Sequence, residues 1–167
     1  MIPLRLQEGL KKRLENIFET KQYTRPAKDT EDLSKEYFSK MNIYLQNLPN
    51  KEQADEVFAP FIVIKLNTGG QANSNAKHLV NVSILVGMYD ETATVGYRDV
   101  SLVLTNIMDE LKNRPVIDGM YELDSDSPID WELSEEETYP YFFGGLSVHF
   151  KAPILEFGER LDVEGLI

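Results

Sequence analysis

The sequence has no cysteine in 167 residues and only two histidines. The lack of cysteine excludes a disulfide scaffold, a thiolate nucleophile and a cysteine-based zinc site. No apolar run approaches the roughly 18–20 residues that a membrane-spanning helix needs. The chain opens on Met1-Ile2-Pro3 and passes directly into a charged helical pattern, so we expect no signal peptide. These absences are compatible with a reducing cytoplasm and predict no membrane partner.

Basic side chains are scarce as well, with 17 Lys and Arg against 28 Asp and Glu and a net charge of −11. The balance is uneven along the chain. Residues 1–51 carry ten basic and seven acidic groups, whereas residues 52–167 carry seven basic and 21 acidic groups. Because an acidic surface repels phosphate, this charge disfavours nucleic-acid binding.

Length and hydrophobic content predict a single domain over residues 1–167. At roughly 100–200 residues per domain the chain is long enough for one core, and 42% of its residues are hydrophobic. We divide it into an N-terminal helical part (1–57), a part with the sheet and the main helix (58–155), and an acidic tail (156–167).

Three segments place hydrophobic residues at helical spacing, over residues 4–20, 32–48 and 95–113. Pro49 and Pro115 end the second and third of these helices. The second stripe consists of Leu33, Tyr37, Met41, Tyr44, Leu45 and Leu48. The third consists of Val100, Val103, Leu104, Ile107 and Leu111.

After residue 57 the hydrophobic period changes to that of β-strands. Residues 61–66 are apolar at nearly every position, which is typical of a strand buried on both faces or packed against another chain. Residues 67–77 predict a flexible loop. Residues 80–88 alternate between apolar and other side chains, which predicts a long strand with one buried face.

The C-terminal third predicts further strands. Residues 117–123 and 129–133 favour a hairpin around a turn at 124–128, and another long strand starts near residue 146. The short connections favour a mostly antiparallel sheet. We therefore predict an α+β fold in which helices pack on one face of the sheet, as a two-layer sandwich.

Residues with catalytic or metal-binding chemistry are few, and no catalytic, cofactor-binding or metal-binding residue is assigned. No phosphate-binding loop is present, because no Lys-Ser or Lys-Thr pair follows Gly69-Gly70. Asp124, Asp126 and Asp130 faintly suggest a cation loop, but Ile129 stands where an EF-hand requires glycine. We expect a protein that is not an enzyme and needs no cofactor.

The least ordinary feature of the sequence is a run of four aromatic residues in five positions, Tyr139, Tyr141, Phe142 and Phe143, which straddle Pro140. One buried sheet face cannot absorb consecutive aromatic residues by alternation. Either the whole run belongs to the core, or one side of it meets another subunit. For the second case the candidate interface residues are Tyr139, Tyr141 and Phe143, with Phe142 pointing into the core, together with Phe61 and Val63 of the apolar strand.

The order of elements and several short signatures resemble one known family. A helix opens with Gly-Tyr-Arg-Asp-Val at 96–100, and an acidic strand is centred on Trp131. The segment Tyr-Pro-Tyr-Phe-Phe-Gly-Gly-Leu at 139–146 then leads into an alternating strand. Over residues 58–155 the chain resembles the tail terminator, or tail completion, proteins of long-tailed phages, prophages and phage-tail-like particles.

The resemblance implies a structural subunit that forms a homohexameric ring at the head-proximal end of the virion tail. Such a ring caps the tail tube, stops tail polymerisation and provides the surface for joining to the head. The implied partners are further copies of the chain, the tail tube protein and the head–tail connector protein. Genomic DNA would pass through without specific binding, and assembly would take place in the host cytoplasm.

Three alternatives stay open on the sequence. The first is another neck protein, such as a head–tail joining or stopper ring. The second is an acidic binding module, and the third is a carboxylate-metal enzyme such as a hydrolase.

Overall fold

A computed structural model describes residues 2–49, 58–92 and 96–153. It has a mixed α+β fold with a curled, mostly antiparallel sheet and two helices. The elements in chain order are α1 (Leu4–Phe18), β1 (Tyr23–Arg25), β2 (Tyr37–Ser39), β3 (Asn42–Leu45), β4 (Phe61–Gly70), β5 (His78–Tyr89), α2 (Gly96–Asn113), β6 (Val116–Ile117), β7 (Tyr121–Leu123), β8 (Asp130–Leu133) and β9 (Tyr141–Ala152).

The main sheet has seven strands in the order β3-β4-β5-β9-β7-β6, and β8 pairs with β9 beside this path. Each neighbouring pair is antiparallel except β3 and β4, which run parallel. The ladder between β5 and β9 is the longest, from His78 opposite Ala152 to Tyr89 opposite Tyr141. β1 and β2 form a separate two-stranded sheet.

One hydrophobic core joins both helices to the inner face of the sheet. The stripe predicted for residues 95–113 is confirmed on α2, where all five of its apolar residues are buried. They pack in the same cluster as alternate residues of β5 and β9, including Ile84 and Val148. The helix predicted at 4–20 is confirmed as α1, whose buried residues include Leu6, Leu10 and Leu14.

Helix α1 bridges the two ends of the curled sheet, because it contacts β3 and β4 at one end and β6 at the other. Toward β4, the Gln7 side-chain amide donates to the Ile64 carbonyl oxygen at 2.8 Å. Toward β6, the Arg13 guanidinium donates to the carbonyl oxygens of Arg114 and Val116, at 2.8 and 2.9 Å. The Val116 carbonyl oxygen belongs to the edge strand β6, whereas the Ile64 carbonyl oxygen also accepts from the Gln46 amide. The two contacts therefore tie α1 to both sides of the curled sheet.

The helix predicted at residues 32–48 is wrong, and α1 is the only helix within the described residues 2–49. That segment contains β2 and β3, and Leu33 from the predicted stripe is 84% exposed. Met41, Ile43 and Leu45 instead alternate with polar or outward-facing residues and pack toward the core. The period of two fits a strand beside β4, and this tertiary pairing overrides the helical spacing.

Two predictions for the C-terminal strands are also wrong. Residues 117–123 form two strands, β6 and β7, separated by a turn in which Asp118 and Gly119 have positive φ. The predicted hairpin with residues 129–133 does not form, because β7 and β8 both pair with β9 and not with each other.

Part of the loop predicted at 67–77 is strand, since β4 continues to Gly70. The predicted acidic tail, 156–167, lies outside the described residues.

Leu104 and Leu102 offer a matched test of which face of α2 forms the core. Leu104 is 3% exposed and Leu102 is 60% exposed on the same helix. Leu104→Ala should lower the free energy of unfolding by about 2–5 kcal/mol, because it removes buried methyl groups and leaves a cavity. Leu102→Ala should change it by less than about 0.5 kcal/mol. Urea unfolding measures both, and equal effects would mean that the α2 stripe is not core.

Candidate functional site

The face of the sheet turned away from the helical core, here called the outer face, carries an ordered set of side chains. Strand register sets them in rows across the strands, since directly paired residues point to the same face. One row runs Lys65, Ser83, Ser147, Asp130, and the next runs Val63, Leu85, Gly145, Glu132. A third runs Phe61, Gly87, Phe143, and a fourth pairs Tyr89 with Tyr141. The outer face thus changes from polar to aromatic along the strands.

Four aromatic rings contact one another at the aromatic end of this face. We call Phe61, Tyr89, Tyr141 and Phe143 the outer aromatic cluster. Tyr141 stacks on Phe143 with ring centroids 6.5 Å apart and an interplanar angle of 9°. Tyr89 lies 5.4 Å from Tyr141, and Phe61 lies 6.2 Å from Phe143. These centroid distances are within the range of favourable aromatic pairs.

At two glycines of the outer face, Gly87 and Gly145, neighbouring side chains lie close to the space that a Cβ atom would fill. A Cβ atom on Gly87 would lie 2.2 Å from the Phe61 ring, so the ring occupies the space of the missing side chain. A Cβ atom on Gly145 would lie 3.2 Å from a methyl group of Leu85. Glycine inside a strand often marks such a close approach. Here it lets aromatic and aliphatic side chains lie flat on the neighbouring strand.

Tyr141, Phe142 and Phe143 divide between the two faces of β9, as the alternation of side chains along a strand predicts. Tyr141 and Phe143 lie on the outer face and are each 36% exposed. Phe142 points to the other side, where it packs against the core. Its ring fills the space beside Gly96, at which a Cβ atom would lie 2.1 Å away. The run therefore divides between the core and an exposed face.

The prediction that Tyr139 shares a side with the other two aromatic residues is wrong. Tyr139 lies in a turn before β9, in which the Tyr141 amide donates to the Thr138 carbonyl oxygen at 2.9 Å. Its ring contacts Phe142 with centroids 6.5 Å apart, and its hydroxyl donates to the Glu91 carbonyl oxygen. The turn interrupts the alternation that a continuous strand would impose.

Phe61 and Val63 lie on the outer face, but the chain itself covers most of their surface. They are 9% and 3% exposed. Together with Ala59 they form a small second core, against which Tyr44 and Phe58 pack. These two residues therefore form the base of the outer face, whereas Tyr141 and Phe143 present surface to the solvent.

A groove of about 600 Å³ crosses the outer face beside β8. The apolar residues that line it include Leu85 and Phe143. Four carboxylates on β8 and in the segment after it also line the groove. These acidic residues, Asp130, Glu132, Glu135 and Glu136, are all exposed. Asp130 and Glu132 alternate with Trp131, as their spacing predicts. The register of β8 on β9 places both carboxylates beside the apolar residues of the groove.

The side chains of Tyr89 and Asp124 each have a hydrogen-bond partner that accompanies a shifted pKa. Burial raises the pKa of Tyr89 to about 12, and its hydrogen bond to Glu91 acts in the same direction. Its hydroxyl is therefore neutral at physiological pH. The hydrogen bond from the Ser127 hydroxyl holds the pKa of Asp124 below its usual range. Asp124 also accepts from the Asp126 amide, so this loop uses its carboxylate to close a turn.

The described ranges contain no group of three or more His, Asp or Glu side chains placed to hold a metal ion. Within the same ranges no helix is long and apolar enough to cross a membrane. The outer face offers apolar and aromatic contacts with an acidic margin. Exposed apolar patches rimmed by polar residues mark sites that bind proteins, membranes or ligands. The chain matches no protein-family model and no curated protein sequence.

Substitutions at Tyr141 and Phe142 distinguish the two sides of the aromatic run. Tyr141→Asp places a charge on the exposed outer face, so we expect a folded subunit whose self-association is weakened or lost. Phe142→Asp places a charge against the core and should unfold the subunit. Circular dichroism measures folding, and light scattering measures size at equal concentration. A Tyr141→Asp protein that associates like the parent would show that this face is not a subunit contact.

Proposed function

We propose that this chain is a phage tail terminator, a structural subunit that forms a homohexameric ring on the end of the tail tube. The ring stops tail polymerisation and provides the surface for joining to the head. The observation that carries the proposal is the exposed outer face of β9. Its aromatic residues belong to the same segment, 139–146, that resembles the tail terminator proteins.

The exposed apolar surface supports an assembly role. Leu85, Tyr141 and Phe143 lie next to each other on the outer face and remain partly exposed. Contiguous apolar surface rimmed by polar groups is typical of sites that bind other proteins. A closed ring needs two different complementary surfaces on each subunit, related head to tail. The outer aromatic cluster is the first of these surfaces in our proposal.

The arrangement of helices and sheet fits this role. In the proposal α1 and α2 form one layer and the main sheet forms the other, as a two-layer sandwich. The inner face of the sheet is then used by the helices of the same chain. The outer face is left for neighbouring subunits, which can cover Tyr141 and Phe143.

The proposed partners are further copies of the chain, the tail tube protein and the head–tail connector protein. The location is the head-proximal end of the tail. The net charge of −11 suits a ring around the DNA path, because an acidic lining repels phosphate. Genomic DNA would therefore pass without adhering.

Imaging of particles assembled without the protein tests the proposal. A terminator stops polymerisation, so its loss should give tails longer than normal that carry no head. Tails of normal length without heads would instead indicate a head–tail joining or stopper ring. Tails of normal length that are joined to heads would contradict any role in the neck.

Complementation supplies the control for this experiment. Wild-type protein should restore tail length, and Tyr141→Asp should fail to restore it. Thr105→Asp adds the same charge on the exposed side of α2 and should restore length fully. If the two variants behave alike, the outer face has no special part in the function.

A further inference from the structure

The β4–β5 hairpin differs in charge from the rest of this acidic chain. No Asp or Glu occurs from residue 57 to residue 89, although the whole chain contains 28 of them. The hairpin carries Lys65 and Lys77 instead. Its tip, residues 67–77, has small and amide side chains, and all of these residues except Ala76 are exposed. The tip is therefore an exposed projection with no carboxylate and one positive charge, on Lys77.

The groove on the outer face has the opposite character. Its apolar part includes Leu85 and Phe143, and Gly145 leaves it open by adding no side chain on this face. Its acidic wall consists of Asp130, Glu132, Glu135 and Glu136. An acidic wall over an apolar floor favours an occupant that carries no carboxylates and bears lysine.

The hairpin cannot reach the groove of its own subunit. β4 and β5 are paired from Phe61 opposite Gly87 to Gly70 opposite Leu79, and β9 pairs with β5 along its whole length. Leu85 in the groove and Lys77 at the tip are eight residues apart on one extended segment, which at ~3.3 Å per residue is about 26 Å. Folding back would break these ladders. A hairpin tip that occupies this groove therefore belongs to another copy of the chain.

We propose that the hairpin tip of one copy, residues 67–77, docks in the outer-face groove of the next copy. Lys77 then lies against the acidic wall formed in part by Glu135 and Glu136, and the small tip residues cover Leu85 and Phe143. The two surfaces are different and lie far apart along the sheet, so the contact is head to tail, as a ring requires. This inference rests on the proposed ring and names its second surface.

The absence of cysteine makes a direct cross-linking test possible. Ser74 lies at the tip and Ser134 lines the groove, and both are exposed. The double variant Ser74→Cys with Ser134→Cys should form a ladder of disulfide-linked oligomers under mild oxidation. Each single-cysteine variant should form no more than dimers. Ser74→Cys with Thr105→Cys, on the exposed side of α2, is the matched control and should form no ladder.

A charge exchange separates this contact from accidental collision. Lys77→Glu, added to the cysteine pair, should remove most of the ladder, because it sets like charges against the wall. Glu135→Lys with Glu136→Lys should restore it in the Lys77→Glu background. No recovery in this combined variant would overturn the proposed pairing.

The outcomes distinguish the inference from the proposed function. A ring of normal mass without the ladder overturns the hairpin contact and leaves the terminator role standing. A ladder from a protein whose loss leaves tail length normal supports the contact and overturns the terminator role. A protein that neither cross-links nor caps tails overturns both.

Discussion

The closure of the curled sheet by α1 is the constraint on which the rest of the structure depends. Gln7 binds backbone at the β4 end, and Arg13 binds backbone at the β6 end. Between them the apolar stripe of α1 fills the interior. Because α1 and α2 both pack into the core against the inner face, neither is left to cover the outer face. Tyr141 and Phe143 on that outer face remain partly exposed among the described residues, and in our proposal a neighbouring subunit covers them.

The outer face is organised by register and by glycine. Gly87 accommodates the ring of Phe61, and Phe61 in turn supports Phe143. This base of buried aromatic contacts holds Tyr141 and Phe143 in fixed positions at the surface. A rigid aromatic surface loses little conformational entropy when a partner covers it, which is the physical reason such side chains are common at interfaces. The acidic margin along β8 then restricts the partner to surfaces without excess negative charge.

The sequence predicts those features that depend on local periodicity. The stripe of α2 and the division of Phe142 from Tyr141 both follow from the spacing of side chains along one element. The pairing register between strands cannot be predicted from the spacing of side chains along one strand. Glu132 lies beside Leu85 only because β8 pairs with β9, and no local pattern specifies that pairing. Residues 32–48 show a related limit. Their spacing fits a helix, but Ile43 lies on β3, a strand that pairs with β4. Alternation along the strand also predicts the wrong side for Tyr139, because a turn before β9 ends the alternation.

In our proposal other chains cover the outer face in the assembled tail. Hydroxyl-radical footprinting of the free subunit and of the protein on purified tail ends tests this most directly. Tyr141 and Phe143 should be oxidised in the free subunit and protected on the tail. Leu102 on α2 is also exposed and serves as an internal reference whose oxidation should not change. Protection of Leu102 with unchanged oxidation of Tyr141 and Phe143 would show that a different face meets the tail.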